Sequence, residues 1–252
     1  MAAINQTYPK TSSPQVQPGA PLLSVRDLSV RLNGFSLGPL SFDLHPGQVT
    51  VLLGHNGAGK TTTMRLLVGL MRKDSGSVSL GSLRQEDEIA FRKRIAFVPE
   101  EAFFYRQMRV GELVRFTSSF YSDWDSPRAE ILRDRLALDY SQPIRHLSKG
   151  TRMKLSLLLA LARDPNVLLL DEPTSGLDPR SRAEVLKTIR AAASSNKTVL
   201  LSTHNLGEAE QIADRLLIVD HGRVLADESI AAIRQSTDSA SSLESYYLRL
   251  VQ

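Results

Sequence analysis

The chain has 252 residues, 42% of them hydrophobic and 23% charged, the composition of a soluble globular protein of one large domain or two modest ones. It has no cysteine, which excludes disulfides and thiol catalysis, and five histidines are few for a multi-histidine metal centre. The formal charge of +4 comes from 31 basic and 27 acidic residues of interspersed sign, which permits contact with an anionic surface without requiring nucleic acid.

Residues 1–21 are rich in Pro, Gln, Ser and Thr and read as a disordered or loosely attached tail. The tail holds one Lys and no apolar segment, so no signal peptide is expected. Order is expected from Leu22. "LLSVRDLSVRL" and "FSLGPLSFDLH" alternate as strands of a small antiparallel edge region, and Pro46–Gln48 is a turn. "VTVLLG" is a buried strand ended by Gly54. A helix follows over Lys60–Val68, with its stop expected at Asp74–Gly76. "SVSLG" and "RIAFVPE" are further strands, the second ending in a loop at Glu100.

A helix-rich region runs from Gly111 to about Tyr140. It is broken by "YSDWDSP", where Asp125 or Ser126 caps a helix and Pro127 sits at its start. "RMKLSLLLALAR" is a helix against the core, and "NVLLLDEP" a central strand. Arg180–Ala193 is helical, Thr198–His204 a strand, Gly207–Asp214 helical, and "RLLIVDHGRVL" a strand, turn and strand. The longest strongly apolar run, Leu155–Ala162, falls short of the roughly 20 residues a bilayer span needs. Strands alternating with helices give an α/β core, with residues 105–145 as a separate helical lobe. No internal repeat is evident.

Gly54, Gly59, Lys60 and Thr61 fit G-x-x-x-x-G-K-[ST], between an apolar strand and a helix. Glycines let backbone N–H groups close around phosphate oxygens, and the helix that follows presents its positive end. His55, Asn56, Gly57, Ala58 and Thr62 complete the loop. Lys60 suits the β and γ phosphates, and Thr61 offers a hydroxyl to Mg²⁺.

"VLLLDEP" puts Asp171 and Glu172 at the end of an apolar strand, expected to lie beside the strand that feeds the phosphate loop. There Asp171 binds Mg²⁺, directly or through water, and Glu172 polarises the attacking water.

Taken in order, "GHNGAGKTT", "LSKGT", "VLLLDEPTSGLDP" and "LLSTH" resemble the ATP-binding subunit of ABC transporters, over Leu22 to about Leu225. The resemblance implies a P-loop NTPase ABC ATPase fold: a mixed core sheet, an antiparallel β edge region and a helical subdomain. The ATPase domain would span 22–227 and a C-terminal helical tail 228–252. ATP and Mg²⁺ are the implied cofactors. Two such domains stack head to tail in the family. Leu147, Ser148, Lys149, Gly150 and Thr151 would be the signature loop, meeting the γ phosphate held by the other domain. Ser175, Gly176, Leu177 and Asp178 would cross the dimer interface, and His204 would sense the γ phosphate.

Three departures stand out. The family usually has Gln where this chain has Glu100, near the metal and the water; a carboxylate keeps the metal role but adds negative charge. Lys149 replaces a glycine of the signature and Thr151 its glutamine. The aromatic residue that often stacks on adenine has no exact counterpart, and either Leu32 or Phe35 supplies the platform.

The resemblance implies a polytopic membrane permease as partner, together with a second copy or a homologous ATPase subunit, at the cytoplasmic face of the membrane. "FYSDWD" and "SLESYYLRL" look most like ABC-2-type exporters of bacteria. Phe103, Phe104, Tyr105, Tyr121 and Trp124 either form a coupling surface or fill the helical lobe. "SLESYYLRL" is either an amphipathic helix covering the core or a simple cap. A soluble ABC ATPase acting on the ribosome or DNA is the alternative. The single cassette, ordinary motif spacing and lack of a Lys/Arg stripe weigh against it, and no direct nucleic-acid partner is expected.

Overall fold

A computed structural model of the chain describes residues 20–236 and 243–251. Nearly all of the expected N-terminal tail, residues 1–19, lies outside them.

Two sheets organise the described residues. The first is antiparallel: β1 (Leu23–Leu32) and β2 (Phe35–Leu44) form a hairpin, and β4 (Ser75–Leu80) and β5 (Leu83–Arg84) extend it in the order β2-β1-β4-β5. The second has six strands: β10 (Arg223–Ser229), β9 (Arg215–Asp220), β3 (Val49–Leu53), β8 (Thr198–Thr203), β7 (Val167–Asp171) and β6 (Ile95–Val98), in that order. All its pairings are parallel except that of β10 with β9, so the sheet is mixed.

Every residue of β3, β7 and β8 is buried, as short continuous apolar runs require of parallel strands covered on both faces. Successive side chains feed opposite layers. Leu52, Leu169, Leu200 and Leu217 join the core shared with the antiparallel sheet. Val51, Leu53, Leu168, Leu170, Val199 and Leu201 join the core shared with the helices of the other face. The strand order corrects one expectation: β7 does not lie beside β3, because β8 runs between them. The carboxylates therefore reach the phosphate loop across a strand that contributes side chains of its own.

The helices are α1 (Lys60–Leu67), α2 (Glu88–Arg94), α3 (Val110–Ser118), α4 (Ser126–Arg135), α5 (Lys149–Leu161), α6 (Pro179–Ser194), α7 (Leu206–Ile212), α8 (Ile230–Ser236) and α9 (Leu243–Leu250). α1 stops at Leu67, before the expected Asp74–Gly76 break; Val68 caps it, Gly69 follows at φ 70°, and Ser75–Gly76 already belong to β4. α2 has no counterpart in the sequence reading: it is short and buries only Phe91. Asp125, rather than Ser126, caps α4, accepting a hydrogen bond from Arg128 N–H at 2.9 Å, with Pro127 in the first turn.

The chain enters and leaves the α3–α4 region side by side. Arg109 pairs with Pro143, Val110 N–H donates to Gln142 O at 3.0 Å and Gly111 N–H to Tyr140 O at 2.9 Å. Beyond the two sheets, β10 runs to Ser229, so strand rather than helix opens the segment expected to be a helical tail at 228. α9 buries Leu243 and rests Tyr246, Tyr247 and Leu250 on the core. No helix among the described residues is long and apolar enough to cross a membrane.

Candidate nucleotide site

β3 ends at Leu53 and the chain turns through the phosphate loop into α1. Two glycines are dictated by packing. A Cβ on Gly54 would stand 2.4 Å from Val219 O. Gly59 has φ 108°, and a Cβ there would stand 2.5 Å from Leu37 Cδ1 and 3.1 Å from Phe35 Cζ. The antiparallel sheet thus presses on the loop from β2, while Gly57, at φ 91°, has open space above it. A cleft of about 270 Å³ lies over the loop, lined by Phe35, Asn56, Gly57, Gly59, Lys60, Thr61, Thr62, Glu100 and Glu172. Phe35 is in this wall. Leu32, its partner across the β1–β2 hairpin, is not.

Lys60 opens α1 and is 6% exposed. Its Nζ donates to Gly54 O at 2.8 Å and His55 O at 3.2 Å, and lies 3.3 Å from Glu172 Oε1. Glu172 in turn meets His204 Nδ1 at 3.0 and 3.1 Å. One carboxylate therefore links the loop lysine to the histidine after β8. Glu172 has φ 46°, a left-handed backbone unusual for a side chain of its size and of the kind found at functional sites.

Asp171 and Glu172 are held together by a residue the sequence reading missed. Ser202, fully buried on β8, donates to Asp171 Oδ1 at 2.6 Å and accepts from Glu172 N–H at 2.9 Å. Beside it, Thr203 Oγ1 donates to Glu208 Oε2 at 2.8 Å, and Thr174 Oγ1 donates to Glu208 Oε1. Polar residues ending a wholly buried strand just before His204 were the available signal, because such groups must find partners.

The expected signature and interface loops pack on each other. Ser148 caps α5: Oγ accepts from Thr151 N–H at 3.1 Å and lies 2.9 Å from Thr151 Oγ1. Leu147 is buried. Gly150 is buried too, and a Cβ there would stand 2.6 Å from Ser181 Oγ. Asp178 caps α6, accepting from Arg180 N–H at 3.1 Å and Ser181 N–H at 3.0 Å. Hydrogen bonds from Ser181, side chain first and backbone second, hold its carboxyl below the usual range. Lys149 reaches over Gly176 and puts Nζ 3.9 Å from Glu100 Oε1, so the two departures from the family pattern face each other. No residue of 147–151 or 175–178 lines the cleft over the phosphate loop.

A glycine cradle at a helix start, a buried lysine in its mouth, and carboxylates behind it define a P-loop nucleoside-triphosphate-binding protein. The family model described as "ABC transporter" matches residues 37–175. The Nod factor export ATP-binding protein I of Ralstonia nicotianae is 36% identical over 82% of this chain and 66% of its own length. The ABC-type transporter ATP-binding protein EcsA of Bacillus subtilis is 31% identical over 92% of this chain and 97% of its own. A solved ATP-binding subunit of an ABC transporter superposes with a TM-score of 0.83, at 30% identity, over 92% of this chain and all of the other. The chain belongs to the ABC transporter family, as an ATP-binding subunit with the ABC ATPase fold, and membership makes it an ATPase coupled to transport.

Proposed function

We propose that this ATPase works as one of two subunits that stack head to tail and drive a separate membrane permease in the direction of export. The observation that carries the reading is the line Lys60–Glu172–His204 at the mouth of the glycine cradle. ATP would lie with its phosphates over residues 54–62 and its base toward Phe35. Lys60 would exchange its carbonyl contacts for β and γ phosphate oxygens. Glu172 would then be free to accept the proton of, or orient, the attacking water, with His204 aligning it and contacting the γ phosphate. An Mg²⁺ ion held by Thr61, Asp171 and Glu100 would neutralise charge on the phosphates; the hydroxyl and carboxylates suit a hard cation.

In the head-to-tail stack, Leu147–Thr151 would complete the partner's site and Ser175–Asp178 would cross between subunits. The exclusion of these loops from the chain's own cleft supports that assignment. Ser148 at the start of α5 supplies a hydroxyl and the helix its positive end. The permease would dock where the loop after Glu100 meets the α3–α4 lobe; in that loop Phe103 is 93% exposed and Tyr105 59%, while Phe104 and Trp124 pack on the core. Export is supported by the likeness to the Ralstonia protein, which is named for Nod factor export. On this reading the protein works at the cytoplasmic face of the membrane.

The test is isolation of the protein from its native membranes in mild detergent, with its partners identified by mass spectrometry. A polytopic membrane protein in stoichiometric amount is expected. Recovery of soluble partners only, from a complex shown to be intact, would overturn the membrane coupling.

A further inference from the structure

Two histidines far apart in the chain meet on the outer side of the phosphate loop. β9 ends at Asp220 and a tight turn, His221–Gly222, leads into β10. Both turn residues have positive φ, 43° and 76°. That geometry favours Asn, Asp or Gly at the first position, and histidine is among the other side chains that tolerate it. The turn is fixed to the loop through its backbone: Gly222 N–H donates to Ala58 O at 3.1 Å. His221 is thereby brought beside His55, with ring centroids 5.4 Å apart. Asp220 lies between the two rings, its Oδ1 2.8 Å from His55 Nε2 and its Oδ2 3.8 Å from His221 Nε2. One ligand atom from each of the three residues lies within 4.8 Å of the others.

The tautomer of His55 is decided by its other nitrogen. Nδ1 lies 2.6 Å from Asn56 O, and a carbonyl can only accept, so Nδ1 carries the hydrogen. In the neutral ring Nε2 then presents a lone pair to a carboxylate, which is repulsive unless a cation stands between them. An imidazole whose far N–H is bonded to a backbone carbonyl is the arrangement metal-ligating histidines adopt.

We propose that His55, Asp220 and His221 bind a divalent transition-metal ion of the Zn²⁺ class. Two imidazole nitrogens and a carboxylate oxygen suit such an ion, with water in the fourth position. Ligand atoms on a tetrahedral zinc stand roughly 3.3 Å apart for bonds of about 2 Å, so His55 and Asp220 would part slightly and the exposed His221 would swing in. The ion would lock the β9–β10 turn to the phosphate loop. It is separate from the Mg²⁺ of the nucleotide cleft, and the proposal does not depend on the transport reading.

The test is calorimetric titration of Zn²⁺ into the full chain, free of nucleotide and Mg²⁺, with the visible spectrum of Co²⁺ as a second readout. One strong site is expected. Asp220→Asn and His221→Ala should each weaken it by about 100-fold or more, since even supporting residues around a metal matter 10- to 100-fold. They should also remove the intense low-symmetry Co²⁺ bands. His45→Ala, a histidine outside the cluster, should change neither. His221 lies in an exposed turn, so its replacement tests ligation even if Asp220→Asn disturbs folding. No binding, or binding that survives both substitutions, would overturn the proposal and leave a protonated His55–Asp220 pair.

Discussion

Ser202 Oγ donates to Asp171 Oδ1 at 2.6 Å, from a strand that separates the carboxylates from the phosphate loop. The same oxygen accepts from Glu172 N–H, so one hydroxyl sets the position of both acidic residues. Ser202→Ala leaves a buried acceptor and a buried donor without partners. The expected loss is about 1–3 kcal/mol of stability, read by chemical denaturation. ATPase activity should fall further than nucleotide affinity, because only the carboxylates move.

Glu172→Gln and Lys60→Ala should separate chemistry from binding. The glutamine keeps the hydrogen-bonding shape toward His204 but cannot take a proton. Turnover should fall about 10²- to 10⁴-fold with nucleotide still bound. Lys60→Ala should abolish binding itself, as equilibrium binding of a fluorescent ATP analogue would show. Equal loss of binding in both would contradict the role given to Glu172.

Glu100 adds a negative charge to the cleft, and Lys149 stands 3.9 Å away to offset part of it. Glu100→Gln should raise turnover and shift the Mg²⁺ concentration for half-maximal activity. A turnover and Mg²⁺ dependence that do not change would remove Glu100 from the metal site.

Gly150 tests whether a residue of the proposed signature loop is constrained by its own chain. Alanine is favoured over glycine in a helix by roughly 1 kcal/mol. Here its Cβ would meet Ser181 Oγ at 2.6 Å and Ser181 Cβ at 2.8 Å. Overpacking of that kind costs about 1–3 kcal/mol, so Gly150→Ala should lower the melting temperature. In a Ser181→Gly background the same substitution should raise it.

The α6 cap carries a pH dependence. Asp178 is held below its ordinary pKa of 3.8 by hydrogen bonds from Ser181. A depressed carboxyl contributes stability that is fully present above its unfolded value and is lost as the pH falls through the folded one. Thermal melts of the native chain between pH 5 and pH 2 should show this loss (about that window for an aspartate). Asp178→Asn, still a good cap, should flatten that part of the curve.

How much of this was legible depended on how local each signal was. The phosphate loop, the Asp171–Glu172 pair and the buried strands are contiguous in sequence, and their chemistry needs no distant partner to be read. Strand order is not local. Nothing in "VLLLDEP" says that β8 rather than β3 is its neighbour, and Ser202 could be assigned only once β8 was placed there. α2 escaped notice because Phe91 is its single buried residue, too little for a periodic pattern. Phe35 and Leu32 were equivalent until the fold set Phe35 against Gly59 in the wall of the cleft and left its partner Leu32 outside it. The meeting of His55 and His221 depends on β9 lying next to β3, which spacing does not encode.

The pairing of Arg109 with Pro143 closes the base of the α3–α4 region, and Val110, Leu113, Ala129 and Leu132 root it in the same core as the central strands. The region is therefore held in two ways, by this closure and by its packing along α5. A displacement of the region would be passed to α5, which packs against both α3 and α4, and through α5 to the loop that carries Glu100 beside it.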